Sequence, residues 1–286
     1  MKNVLITDLD NTLFDWFTLW YESFNAMLIK ASEISKIPVC ELKKEIRKIH
    51  QKHGTAEYSF VLEEVPQFKE IFGERENIVS QLDEAIHAFR SARKKNLKLY
   101  PSVFETLSTL KKKGVKIIAY TESKEYYSNF RISNLGLDGL IDILYSPKDH
   151  LIPAGVQSQK KYDLIHTVNA HTPENEIKPN PKILLDIIKD IDAKKEFCVY
   201  VGDSEMKDIS MAKEAGVDAV FARYGTTHFT NNIEGYNLLR DVTHWTDADV
   251  EREKKIKENN KDIHADYVIE KFSDLLELFK FTRFER

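Results

Sequence analysis

Two carboxylates stand two residues apart where a short apolar run ends: Asp8 and Asp10 in VLITDLDNTLFD, Val4 to Asp15. On a strand, residues two apart share a face. Like charges that close repel unless a cation or a shared proton intervenes. A carboxylate can attack phosphorus and split a hydrolysis into two easier steps through an aspartyl-phosphate. A second carboxylate nearby can protonate the leaving oxygen and later activate water. A hard cation with oxygen ligands, such as Mg2+, would relieve the repulsion and neutralise a phosphate. Taken alone, Asp-x-Asp also arises by chance and in ordinary turns.

Three later stretches supply partners. In VYVGDSEMKDISMAKEAG (199–216), Gly202 lets the backbone turn sharply as a strand ends, Asp203 sits where strand meets loop, and Asp208 follows near the start of a helix. Both carboxylates could reach the cation of the first pair, and both could equally cap a helix. In AYTES (119–123), the Thr121 hydroxyl and the backbone N–H groups at Glu122 and Ser123 suit a phosphoryl oxygen, although Thr121 or Ser123 would also serve as an N-cap. In EIKPNPKILLDII (176–188), Lys178 precedes a Pro-initiated helix. A cation there could bridge a nucleophile and a transferring phosphoryl group, whereas isolated lysines usually face solvent.

The elements that must position these residues are legible as apolar runs. VLITD (4–8), VKIIAYT (115–121), FCVYVGD (197–203) and DAVFAR (218–223) have the β-branched and aromatic content of buried parallel strands. Helical stretches lie between them, at 102–113 before Gly114 and at 206–215 before Gly216. Alternating strands and helices predict an α/β fold with ligands beyond the carboxyl ends of the strands. The interval 16–96 differs, with amphipathic helices expected at 17–32, 39–52, around 60–72 and at 77–95, and no alternating strand. It is expected to be an inserted helical cap. Residues 146–177 read as a long loop with a short helix near 162–168. Residues 226–264 include the charge run EREKKIKENNKD (251–262), which reads as a solvated helix face or linker, and 265–281 read as a last strand and helix.

The chain of 286 residues carries 42 Lys and Arg against 46 Asp and Glu, and this net charge of −4 gives no general attraction to nucleic acid. Two distant cysteines, Cys40 and Cys198, form neither a disulfide framework nor a zinc motif. With no apolar run of membrane-spanning length, the expected location is cytoplasmic, without membrane partners.

The ordered set DLDNT, AYT, KPNP and GDSEMKD resembles the haloacid dehalogenase superfamily of phosphohydrolases over 1–14 and roughly 98–225, with a fainter match at 264–279. The resemblance implies a Rossmann-like parallel-sheet core, 1–14 and 98–286, flanked by helices, with a small all-helical cap at 15–97. It implies Asp8 as nucleophile and Asp10 as general acid/base, with Thr12 orienting the loop and Thr121 binding the phosphoryl group beside Glu122 and Ser123. Lys178 would steady the nucleophile's charge. Asp203 would bind Mg2+ with Asp8 and the Asp10 backbone carbonyl, with Asp208 supporting the metal. Asn11 stands where many members have Gly, a variation the superfamily also shows.

The implied activity is a phosphatase acting on a small phosphorylated metabolite, a nucleotide or sugar phosphate. A phosphomutase, a phosphonatase or a non-catalytic binding module on the same fold are the alternatives. Asp10 argues against a dehalogenase, which needs no second carboxylate there. Trp16, Phe17, Trp20 and Tyr21 follow the nucleophile loop at helical spacing. Trp16 would contact a nucleobase or sugar ring, or the cluster would bury itself in the cap, as aromatics so spaced usually do.

Overall fold

The computed structural model describes all residues except 154–155, 157–161, 175, 228–230, 260–261 and 286, and leaves out the side chains of 253 and 257. Its strands are β1 (Val4–Thr7), β2 (Lys116–Tyr120), β3 (Ile143–Ser146), β4 (Val168–His171), β5 (Cys198–Gly202), β6 (Asp218–Ala222) and β7 (Tyr267–Ile269). They form one seven-stranded sheet in the order β4-β3-β2-β1-β5-β6-β7, and every pairing is parallel. Strands covered on both faces read as unbroken apolar runs. Accordingly β1, β2, β5 and β6 fall where such runs predict them.

Two strands lay outside those expectations. β3 is a short ILYS segment, and β4 (VNAH) is an edge strand with partly exposed residues, so neither shows a strong apolar pattern. The short helix expected near Tyr162–Val168 does not form. The N–H groups of Ile165, His166 and Thr167 instead donate to the Asp138 carboxylate at 2.8, 3.0 and 2.8 Å, turning the chain into β4.

Register fixes where chemistry can gather. Thr7 of β1 lies opposite Ala119 of β2 and Val201 of β5. The chain therefore leaves these three adjacent strands at Asp8, Thr121 and Asp203, along one edge of the sheet. β1 is where the strand order diverges to both sides, which is the position at which parallel α/β sheets bind ligands.

The chain divides into two compact units, residues 1–15, 98–227 and 256–286 in one, and 16–97 with 228–255 in the other. The first holds the sheet, with α7 (Val103–Lys112), α8 (Glu125–Asn134), α9 (Pro181–Asp190) and α10 (Ser210–Ala215). Its core packs Val4, Ile6 and Ile118 against Leu184, Ile187 and Met211, all buried.

The second unit is helical. It begins with α1 (Trp16–Ser35), α2 (Val39–His53), α3 (Val61–Glu64), α4 (Pro66–Phe72), α5 (Arg75–Gln81) and α6 (Asp83–Asn96). The stretch expected as one helix around 60–72 is broken at Val65, held extended ahead of Pro66. Between 226 and 264 lie α11 (Ile233–Val242), which the sequence did not single out, and α12 (Asp247–Asn259), which makes the charge run a helix face rather than a linker. Asn232 caps α11 by accepting from Gly235 N at 2.8 Å. Leu238 and Val242 on α11 are buried with Trp20, Phe24, Leu42 and Ile46. That apolar stripe is why 228–255 groups with the helical unit, and not with the sheet unit as a core running unbroken from 98 to 286 would require. The charge run lies mostly on α12, whose described side chains there are largely exposed. Among the described residues no helix is long and apolar enough to cross a membrane.

Candidate active site

The backbone of β1 still pairs at Asp8, whose N–H donates to Val201 O at 2.9 Å. Beyond it the chain turns tightly, with Leu13 N donating to Leu9 O at 2.9 Å and Asn11 in the left-handed region at φ 58°. Asn and Gly adopt that conformation most easily, which accounts for the asparagine at this turn. Asp8 is buried, and Thr12 Oγ1 lies 3.4 Å from its Oδ2 and 3.5 Å from Asp203 Oδ1.

Lys178 is buried at the same place. Its ammonium lies 2.5 Å from Asp8 Oδ1 and 2.9 Å from Asp208 Oδ1. The lysine is delivered by the loop ahead of α9, where Asn180 caps the helix by accepting from Ile183 N and Pro181 opens it. Its ammonium lies 4.8 and 5.6 Å from the ring centroids of Tyr120 and Tyr200. Tyr200 donates to Asp208 Oδ1 at 2.8 Å, and Ser204 N donates to Asp208 Oδ2 at 3.2 Å.

Gly202 serves a different purpose from the sharp turn expected of it. A Cβ there would lie 2.3 Å from Asp208 Cγ, so glycine leaves room for the carboxylate to tuck against β5. Asp208 follows on a wide π-type turn, Glu205–Ile209, that carries the chain into α10.

Carboxylate oxygens of Asp8, Asp203 and Asp208 come within 4.8 Å of one another. Burial, opposed by Lys178 and reinforced by Asp208 and Asp10, pushes the Asp8 carboxyl up to about 8. Burial and the charges of Asp8 and Asp208 likewise raise Asp203 well above the usual carboxylate range. Burial pulls Lys178 down, but Asp208 and Asp8 outweigh it and keep the ammonium charged. Three carboxylates against one lysine leave an excess of negative charge whenever all three ionise. An all-oxygen donor set with that excess fits a hard divalent cation.

The other expected site residues surround Asp10. Its Oδ2 accepts from Ser123 Oγ at 2.5 Å and from Thr121 Oγ1 at 3.3 Å. Glu122 is engaged elsewhere, accepting from Lys178 N and from Lys207 Nζ at 3.0 Å each, and so ties the β2 loop to the lysine loop. Trp16 begins the helical unit, where it stacks on Trp20 with ring centroids 6.1 Å apart. Its buried indole N–H has no hydrogen-bond partner among the described residues. Asp8, Asp10, Thr12, Thr121, Glu122, Ser123, Lys178, Asp203 and Asp208 all belong to the sheet unit and converge at one sheet edge; Trp16 belongs to the other unit.

Sequence reading missed three contributors. Arg131, in the middle of α8, pairs with Asp10 at 3.1 Å. Tyr224 donates to Thr12 O at 2.7 Å, and a Cβ on the adjacent Gly225 would fall 2.0 Å from Asn11 O. The segment after β6 thus buttresses the turn that carries Asp10. The only available signal was the Tyr-Gly pair closely following a strand end, which specifies no partner.

Among solved structures, the chain is similar to a 2-haloacid dehalogenase from Pseudomonas syringae pv. Tomato, with a TM-score of 0.56, 19% identity, and 97% of this chain and 98% of that one covered. It is also similar to a HAD phosphatase from Thermococcus onnurineus, with a TM-score of 0.53, 19% identity, and coverage of 99% and 100%. Both likenesses concern the fold. In sequence it is 25% identical over 231 residues to a glyceraldehyde 3-phosphate phosphatase from Methanopyrus kandleri, covering 79% of this chain and 85% of that relative. The family model of haloacid dehalogenase-like hydrolases matches residues 2–216, from β1 through α10 and so across all four motifs at the sheet edge. The chain belongs to the haloacid dehalogenase-like hydrolases.

Proposed function

We propose that the protein is a Mg2+-dependent phosphatase that acts on a small phosphorylated metabolite, a nucleotide or sugar phosphate, through an aspartyl-phosphate on Asp8. The observation that carries this reading is the contact of one buried ammonium, Lys178, with Asp8 and Asp208 beside Asp203, while Asp10 stands on the same turn as Asp8. A nucleophilic carboxylate, a neutralising cation and a separate proton carrier are the parts that phosphoryl transfer needs. The phosphatase relative supports the same reaction class.

In the first step Asp8 attacks phosphorus, the ester P–O bond breaks, and Asp10 gives its proton to the departing oxygen. In the second, water attacks the phosphorus of the aspartyl-phosphate, Asp10 takes a proton from that water, and the bond from phosphorus to the Asp8 oxygen breaks to release inorganic phosphate. Lys178 holds the Asp8 carboxylate in one orientation and offsets its charge. Thr121 and Ser123, whose hydroxyls donate to Asp10 Oδ2, would release it to donate to phosphoryl oxygens, and Glu122 keeps the lysine loop against the β2 loop. Asp8, Asp203 and Asp208, with the Asp10 backbone carbonyl, would hold Mg2+, which neutralises phosphate charge when bound.

We assign the choice of substrate to the helical unit, 16–97 with 228–255, with Trp16 a candidate contact. Cys40 and Cys198 are both free, which suits a reducing cytoplasm. A panel of phosphorylated metabolites tests the reading. It should contain triose, hexose and pentose phosphates and nucleoside monophosphates. Phosphate should be released from at least one member, EDTA should stop the release, and added Mg2+ should restore it. No release from any member in Mg2+ would overturn the reading.

A further inference from the structure

Arg131 is the largest side chain in the described molecule with almost no exposure, at 1%. A buried guanidinium is costly unless it is paired and hydrogen-bonded. It lies in a helical stretch, Ser128 to Ile132, that is buried throughout, and its guanidinium stands 5.6 Å from the ring centroids of Phe14 and Tyr127. Its Nη1 donates to Asp10 Oδ1 at 3.1 Å and to Ser123 Oγ at 2.9 Å, while Ser123 donates to Asp10 Oδ2 at 2.5 Å. Three groups thus close a triangle, with Thr121 Oγ1 3.3 Å from the same Asp10 oxygen.

The triangle has a directional consequence. A serine hydroxyl has one hydrogen, and a donor pointed at its lone pair dictates where that hydrogen goes. Arg131 therefore orients two groups at once, the carboxylate of Asp10 and the hydroxyl of Ser123. The guanidinium is itself fixed by packing, so the reference point does not move with solvent. A planar cation with several donors in fixed geometry can do this, and a single ammonium cannot hold both partners equally well.

We propose that Arg131 is a positioning residue of the reaction, which sets the Asp10 carboxylate and the Ser123 hydroxyl relative to the leaving oxygen and the phosphoryl group. The proposal rests on the reading of Asp10 as the proton carrier. A purely structural arginine would tie α8 to the nucleophile turn and affect every substrate alike. A positioning arginine acts through Asp10, and so matters most where the leaving group needs a proton.

The test compares wild type, Arg131→Met, Arg131→Lys, Asp10→Asn and the Arg131→Met/Asp10→Asn double variant. The two substrates are p-nitrophenyl phosphate, whose leaving group departs without a proton, and the best alkyl phosphate of the metabolite panel. Arg131→Met should lower kcat/KM, which reports formation of the aspartyl-phosphate and so contains the leaving-group protonation, by roughly 10²-fold on the alkyl phosphate, with a much smaller loss on p-nitrophenyl phosphate. Arg131→Lys should recover part of the loss, and Arg131→Met should cost nothing further in the Asp10→Asn background. If Arg131→Met does not fold, Arg131→Lys, with its charge retained, carries the same two-substrate comparison. Equal losses on both substrates, or additive losses in the double variant, would overturn this inference alone. A wild type that releases phosphate from neither would overturn the phosphatase reading, and the inference with it.

Discussion

At the scale of single residues, the site stores repulsion. Asp8 and Asp203 are held above the ordinary carboxylate range chiefly by burial, with neighbouring carboxylates adding to it. Near neutral pH their charged forms are thus less stable in the folded chain than in the unfolded one. Removing one such charge should stabilise the metal-free protein even as it destroys turnover. Asp203→Asn is expected to raise the Tm in EDTA by a few degrees, on the order of 1–3 kcal/mol. A lowered Tm would show that the carboxylates are not in conflict. The positions of Asp8, Thr121, Lys178 and Asp203 were legible because each lies at or near the end of an apolar run or ahead of a helix, where a sequence pattern points. Arg131 was not, since a lone arginine in EYYSNFRISN looks like any solvated cation on a helix. Its burial is a property of what α8 packs against.

At the scale of elements, one helix that the sequence did not single out, α11, bears on stability. Leu238 on α11 is buried in the helical unit's core. Leu238→Ala is expected to cost about 2–5 kcal/mol, measurable by urea unfolding; a surface-like change below about 0.5 kcal/mol would contradict that role.

His50 on α2 ties this helix in through a 2.6 Å contact between its Nδ1 and Val242 O, which requires the hydrogen on Nδ1. Burial lowers its pKa from 6.5 to about 4. Between those values the unfolded chain binds the proton and the folded chain does not, so stability falls as pH drops from about 6.5 to about 4. His50→Phe should flatten the decline of Tm across that window; an unchanged slope would contradict the assignment.

The elements read correctly were those with strong periodicity or continuous apolar runs. β3 and β4 escaped because one is short and the other is a polar edge, and α11 because its apolar stripe sits between segments rich in charge and Asn.

At the scale of the whole molecule, the α/β class, the parallel sheet and the helical insertion followed from the alternation of patterns along the chain. The grouping of 228–255 with the insertion did not, because it is set by contacts between residues far apart in sequence. A cation bound only by the folded chain shifts the unfolding equilibrium by mass action, by about 2.7 kcal/mol at a hundredfold excess over its Kd. Added Mg2+ should therefore raise the Tm of the wild type and leave Asp203→Asn nearly unmoved. An equal rise in both would place the cation elsewhere.

The central claim is that Asp8 carries the phosphoryl group. Phosphate release from the best substrate of the panel, measured in Mg2+ for wild type and for Asp8→Asn with matching circular dichroism spectra, tests it most directly. Turnover by the wild type and none above background by Asp8→Asn is the predicted result. Substantial phosphate release by the folded Asp8→Asn protein would contradict it.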